Sequence, residues 1–138
     1  MKPTGKYGPF LLVLVFVTLA NAQSSDKTWY QQGKEAFEKQ NNPKALKCFT
    51  KAIESSEDQG TAYLARGMTY QRQRRPEQAI ADFTQAIKRK PKPVAAYTYR
   101  GMSHMELNNL NKALSDLNQA IRLDSGAGQA YFNKGYLL

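Results

Sequence analysis

The 138-residue sequence predicts an all-α fold, a solenoid of antiparallel helix pairs with about three repeated units and a partial fourth. Gly33, Gly67, Gly101 and Gly135 stand 34 residues apart, and a fixed period of that length marks a repeat array. An aromatic residue precedes each glycine by four positions: Trp29, Tyr63, Tyr97 and Tyr131. After the first three glycines, further columns keep their chemistry: Ala45, Ala79 and Ala113, then Phe49, Phe83 and Leu117, then Ala52, Ala86 and Ala120.

These spacings of four and three place each set on one stripe of a helix. Glycine costs roughly 1 kcal/mol against alanine inside a helix, so its return in every unit points to a close helix contact that a larger side chain would block. Trp29 or Tyr63 and Phe49 or Phe83 then fill the space on either side, and the closing alanine of each unit admits the next unit's first helix.

The elements follow in order from this period and from the residues that break it. Helices are predicted near 27–40, 43–56, 61–73, 77–90, 95–107, 111–123 and 128–137. Asn41-Asn42-Pro43, Arg75-Pro76 and Asn108-Asn109 supply the turns within units. Gln59-Gly60, Pro91 with Pro93, and Ser125-Gly126 supply the turns between them.

With these columns the chain resembles the tetratricopeptide-repeat family, whose unit is a 34-residue helix-turn-helix. The resemblance implies a right-handed solenoid with units at 26–59, 60–93 and 94–127 and a partial unit at 128–138, within a domain spanning 23–138. Two departures stand out. Gln32, Arg66, Arg100 and Lys134 replace the leucine usual before the glycine, and only Pro91 represents the closing proline. Long basic stems can cover apolar surface while their heads reach water, so the basic substitutions are compatible with the fold. The last fragment ends Tyr136-Leu137-Leu138, whereas a terminal repeat needs a polar outer face. Either the chain is a piece of a longer protein, or this C-terminal edge meets another copy in a homo-oligomer.

In the family the first helices line a concave groove. The matching stripe here reads Tyr30, Lys34, Phe37, Leu64, Met68, Gln71, Thr98, Met102, Met105, Phe132 and Tyr136. Methionine repacks at small cost and aromatic rings supply area with few rotors, so this stripe suits a hydrophobic or amphipathic peptide. The competing reading is that some of these side chains only fill gaps between helices. A subclass of the family captures acidic chaperone tails with lysine, asparagine and arginine in the groove. The corresponding positions hold Tyr30, Lys34, Ala65, Ala95 and Tyr99, so a single positive charge remains and chaperone tails are not the expected partner.

The resemblance therefore implies a non-catalytic scaffold that binds a partner protein or peptide. The residues agree: the single His104 falls in the column of Tyr70, and Asp82 and Asp116 recur with the repeat as features of the fold. No second histidine exists to share a metal, and no cofactor or metal is expected. Cys48, the sole cysteine, excludes an intramolecular disulfide. It reads as a half-buried small hydrophobe, with an intermolecular disulfide as the alternative. The basic runs Arg72–Arg75 and Lys88–Lys92 fall at turns on opposite edges, where they compensate helix ends or contact a polyanion. The alternative function is accordingly a peripheral binder of an anionic envelope polymer or membrane surface.

Residues 1–22 carry a different signal. Lys2 and Lys6 precede eleven low-polarity positions from Phe10 to Ala20, and the stretch ends at Ala20-Asn21-Ala22. This is shorter than the roughly 20 residues of a spanning helix and has the anatomy of a cleavable signal peptide. An uncleaved anchor is the alternative. The protein is thus expected to be exported, periplasmic or secreted, and nucleic acid is not an expected partner. Without Lys2 and Lys6 the formal net charge is about +7, which favours acidic partners. Cleavage is expected after Ala22. Mass spectrometry of the exported protein should show residues 23–138, whereas an intact mass of 15.6 kDa would sink the prediction.

Overall fold

The computed structural model describes residues 27–55 and 58–138, so the expected signal segment lies outside the described residues. Seven helices occur among them and no strand does. They are α1 (Trp29–Glu38), α2 (Asn42–Glu54), α3 (Gln59–Arg72), α4 (Pro76–Arg89), α5 (Val94–Glu106), α6 (Leu110–Leu123) and α7 (Gly128–Leu137). Each helix packs against the next in chain order, and the first helices of successive units also touch. The result is an all-α solenoid of helical hairpins.

Local chemistry sets the boundaries. Thr28 and Gln31 form a reciprocal capping box at α1, Asn41 caps α2, and Pro43 lies in the first turn of α2, where its missing N–H costs nothing. Gln59 and Gly60, expected in a turn, are instead the first residues of α3. Asp58 accounts for this shift, because its carboxylate accepts from the Thr61 backbone N–H and starts the helix earlier. Gly60 lies beneath the Lys90 side chain: a Cβ there would stand 3.0 Å from it, so a larger residue would require that side chain to shift.

The turns within units are built alike. Gln40, Arg74 and Asn108 each have φ of 58°, in the left-handed region. The following backbone N–H then reaches back to the helix, from Asn41 to Ala36 O, Arg75 to Tyr70 O and Asn109 to His104 O, at 2.8–3.0 Å. This closes the helix C-terminus by satisfying its last carbonyls. Only Asn108 is a residue type that signals such a conformation in sequence.

The core is the line of contacts between paired helices. A Cβ on Gly33 would stand 2.5 Å from the Phe49 ring, on Gly67 2.7 Å from the Phe83 ring, and on Gly101 3.0 Å from Leu117. Ala45, Ala52, Ala79, Ala86, Ala113 and Ala120 are fully buried beside them. Trp29 and Tyr63 are half-buried, covered by the Lys51 ammonium and Arg89 guanidinium at 4.1 and 4.8 Å from the ring centres. Tyr97 is half-buried against Leu117 and Ala120 of its own pair and Ala130 of α7. The last unit departs from this pattern. Tyr131 is 49% exposed and a Cβ on Gly135 would meet nothing within 4 Å. Neither performs the packing role expected of it, because no second helix stands beside α7 among the described residues.

Arg66 and Arg100 also differ from expectation. Their heads are engaged with other side chains, and the side chains are only 18% and 20% exposed. Arg66 donates through Nε and Nη2 to both carboxylate oxygens of Asp82 at 2.7 and 2.8 Å, and through Nη1 to the Thr50 hydroxyl at 3.1 Å. Arg100 does the same with Asp116 and Thr84. Each arginine therefore ties its own helix to its partner and to the second helix of the preceding unit. The hydrogen bonds to the carboxylate raise the guanidinium pKa further above its ordinary value, against the opposing effect of burial. Asp82 and Asp116 are accordingly structural.

Gly67→Ala should destabilise the protein by about 1–2 kcal/mol, the overpacking of the Phe83 ring exceeding the helix-propensity gain of roughly 1 kcal/mol. Adding Phe83→Leu, which reproduces the Gly101–Leu117 pairing, should relieve part of the clash. Urea unfolding of the two single variants and the double variant would read the coupling.

Candidate docking groove

The first helices of the three complete units converge on a shallow hollow of about 400 Å³, lined by Phe37, Met68, Gln71, Arg72, Arg74, Tyr99, Met102 and Glu106. It forms because α1, α3 and α5 present corresponding positions side by side, one unit apart. Four residues expected in the groove meet here: Phe37, Met68, Gln71 and Met102. Gln71 is anchored, its amide donating to Tyr99 O at 3.4 Å and Ser103 Oγ at 3.3 Å, so it bridges α3 and α5. The Tyr99 ring stacks on Phe83 with centres 5.8 Å apart, which fixes the floor to the core.

The rim is cationic. The Arg72 guanidinium lies 3.4 Å from the centre of the Phe37 ring and donates to Phe37 O at 2.7 Å. Such a cation over a ring is favourable and holds both side chains in place. Arg74 is largely exposed and stands 3.8 Å from Glu106 across the hollow. Arg75, the last of the basic run, turns away and lies over Tyr70. The run thus divides, with Arg72 and Arg74 on the groove. Sequence reasoning placed all four residues at a turn edge and missed Arg72, Arg74, Tyr99 and Glu106 as groove residues. Met68 to Arg72 and Tyr99 to Met102 are spacings of four and three, which put them on the methionine stripe. Of the second basic run, Arg89 is engaged with Gln85 and Tyr63, and Lys90 with Asp58. Lys90 and then the Thr61 hydroxyl pull the Asp58 carboxyl down to about 2.

The other expected groove residues are distributed differently. Leu64 is half-buried on α3 and Lys34 is exposed on α1. Tyr30 leans on Phe49, with ring centres 5.8 Å apart, and lines a separate hollow with Thr28, Asp58 and Thr61. Burial, then the nearby Asp58 charge, raises its phenol pKa, while Lys90 opposes them. Thr98 is corrected to a packing position: it is 6% exposed and its hydroxyl donates to Val94 O. Met105 is likewise corrected, because it packs on the cluster of Leu117, Ala120 and Ala130. Phe132 and Tyr136 are 67% and 80% exposed on α7, at the C-terminal edge.

A larger hollow of about 690 Å³ lies on α1 and α2, lined by Trp29, Gln32, Lys39 and Lys44 among others. Gln32 occupies the position of Arg66 and Arg100, whose heads reach the preceding unit. This hollow is therefore the stacking face of the first unit. Cys48 is buried and unpaired. No group of three or more histidine, cysteine, aspartate or glutamate side chains is placed to hold a metal among the described residues. No helix there is long and apolar enough to cross a membrane.

A hairpin solenoid with a groove across its first helices defines a class of repeat protein built for contact with other chains. Two family models described as tetratricopeptide repeat match the sequence, one over 64–128 and 100–138 and the other over 26–59. The chain belongs to the tetratricopeptide-repeat family. Its fold is similar to the TPR domain of Arabidopsis OM64, at 26% identity and a TM-score of 0.76 over 79% of this chain and 90% of that one. It is also similar to the second TPR domain of human RPAP3 in complex with the HSP70 peptide SGPTIEEVD, at 25% identity and 0.76 over 80% and 92%. The TPR2B domain of yeast Sti1 in its pHsp70 complex matches at 25% identity and 0.69 over 78% and 93%. No curated protein matches the chain.

His104 carries a pH dependence. Burial lowers its pKa below the ordinary 6.5; Asp116, at 3.9 Å, opposes this, and Arg100 and Lys112 add to it. Nδ1 is buried without a partner. The folded state thus favours neutral imidazole, so its stabilising contribution is present above the unfolded pKa and is lost as pH falls below 6.5. The urea midpoint should drop on acidification through this range, and His104→Asn should flatten that drop. An equal slope in the variant would exclude the histidine as its source.

Proposed function

We propose that this protein is an exported, non-catalytic scaffold that captures an amphipathic segment of a partner protein in the groove of α1, α3 and α5. The observation that carries the reading is the juxtaposition of Met68, Met102 and Tyr99 with the cations Arg72 and Arg74. Adaptable thioethers and a fixed ring supply apolar area, and the cationic rim supplies attraction for acidic side chains. Tetratricopeptide repeats form a family of interaction scaffolds, and the related RPAP3 and Sti1 domains were solved with chaperone peptides or complexes. This chain differs in its recognition chemistry. Tyr30 is half-buried against the core, Tyr99 is stacked on Phe83, and Ala65 and Ala95 offer no polar head, leaving Lys34 alone at those positions. A mixed apolar and acidic segment fits better than a tail held by its carboxylates.

Export rests on the sequence of residues 1–22: Lys2 and Lys6, the apolar block, and Ala20-Asn21-Ala22. The formal net charge of about +7 that remains without Lys2 and Lys6 would speed encounter with acidic partners in the envelope or outside the cell. A peripheral contact with an anionic polymer or membrane surface is the second reading, favoured by the exposure of Arg75, Lys88 and Lys92 outside the groove. Salt separates the two, since an exposed-charge contact collapses at physiological ionic strength and an apolar groove contact persists.

Residues 23–138, immobilised and exposed to envelope extract, should retain a partner identifiable by mass spectrometry. Met68→Glu with Met102→Glu should weaken retention about 100-fold by burying charge in the contact, with helical circular dichroism unchanged. Undiminished capture by the double variant would rule out the groove.

A further inference from the structure

The ion pairs that hold this fold recur with its period. Arg66–Asp82 and Arg100–Asp116 stand one unit apart, are hydrogen-bonded at 2.7–2.8 Å, and leave none of the four side chains more than 20% exposed. Arg74–Glu106 does not recur. The position of Arg74 holds Gln40 in the first unit and Asn108 in the third, and that of Glu106 holds Glu38 and Arg72 in the first and second. All three turn residues share a φ of 58°, so the backbone fixes the point from which each side chain leaves, and a cation leaves it in the second unit alone. The closest N···O distance of this pair is 3.8 Å, beyond hydrogen-bonding range, and the Arg74 side chain is 85% exposed. Glu106 is also the last residue of α5, where the negative end of the helix disfavours a carboxylate. The fold does not account for this pair.

The hollow does. Arg74 and Glu106 line it together with Met68, Tyr99 and Met102, and Glu106 is the one acid among its described lining residues. Of its two cations, Arg72 is committed to the ring and carbonyl of Phe37, which leaves Arg74 to receive a carboxylate. We propose that Glu106 is an internal competitor for Arg74: it occupies this cation until an acidic residue of the bound segment displaces it, so that the groove selects a carboxylate set beside apolar side chains. This deepens the docking reading above and rests on it.

The incoming carboxylate takes the guanidinium in a two-point fork in place of the 3.8 Å contact, and Glu106 is released to water. A segment with apolar side chains alone leaves the pair closed and gains nothing from Arg74. A segment that presents an acid gains the stronger contact, but it first breaks the internal one and meets the like charge of Glu106. Exposed pairs of this kind change an equilibrium constant by about fivefold at most, so Glu106 tempers affinity without blocking the groove.

The probe is a random dodecapeptide library selected on the immobilised protein, with the enriched peptide then synthesised and titrated in solution. Enriched peptides should combine Asp or Glu with apolar residues and lose binding to the double variant Met68→Glu, Met102→Glu. Glu106→Gln should tighten the enriched peptide about two- to fivefold. Glu54→Gln, which removes the same charge from an exposed position on α2 outside the hollow, should leave its affinity nearly unchanged. Arg74→Gln should weaken the peptide and cancel the gain from Glu106→Gln, and a library selected on Arg74→Gln should keep the apolar residues and lose the acid. Enriched peptides without an acid, or an affinity that Glu106→Gln leaves unchanged or lowers, overturn the competitor while dependence on Met68 and Met102 leaves the docking reading standing. A lower urea midpoint for Glu106→Gln shows the pair serving the fold and likewise overturns it. Binding indifferent to the methionine double variant overturns the docking reading itself, and a library from which nothing enriches removes both.

Discussion

The close approach of paired helices at a glycine is the constraint on which the rest of the structure depends. Gly33, Gly67 and Gly101 leave no room for a Cβ because a ring or a leucine occupies that space. The cost of glycine in a helix, roughly 1 kcal/mol, is offset by dense packing of a large side chain that would otherwise have no pocket. Once each pair is locked at that distance, small alanines on the same helix bring the next unit to the same depth. The spacing of α1, α3 and α5 follows, and with it the groove, whose floor is tied to the core through the stacking of Tyr99 on Phe83.

The Arg–Asp–Thr connections add direction to this packing. A hydrophobic contact between rods tolerates sliding and rotation, whereas a bidentate guanidinium–carboxylate pair has one geometry. Burying the pair costs desolvation, and an apolar replacement of similar volume is often as stable or more so. Its contribution here is therefore register: Arg66 and Arg100 each specify both the partner within the unit and the neighbour before it. In the first unit Gln32 and Cys48 stand at the arginine and aspartate positions. The polar lattice is thus present where a unit has a predecessor and absent where the described residues provide none.

Most of the fold was legible because repetition multiplies weak signals. One glycine in an apolar helix means little, but four at a constant interval identify a pairing surface, and the seven helices fall within two residues of their expected limits. The errors have local physical causes. Asp58 started α3 before Gln59-Gly60 by capping it, and the left-handed residues Gln40 and Arg74 gave no compositional warning. The site was less legible than the fold. A stripe on a helical wheel does not tell which side of a residue its packing partners cover, so Thr98 and Met105, on the correct helix, are packed away from the groove. Arg72 was read as a turn cation because its stacking on Phe37 joins residues a full unit apart.

The same division explains where binding capacity remains. Several basic side chains of the second and third units are already engaged: Arg66 and Arg100 with aspartates, Arg89 with Gln85 and Tyr63, Lys90 with Asp58. The net positive charge therefore overstates the cations free to meet a ligand. Arg74, whose only acidic neighbour is 3.8 Å away, is an available exception, and it lies beside the two methionines. Charge and apolar surface coincide at that one place on the first-helix face because the turn within the second unit projects its cation over the hollow that the helical stripe forms. A partner that used only charge would find competing edges, and one that used only apolar area would find the exposed rings of α7. The amphipathic segment proposed above would engage both at the groove.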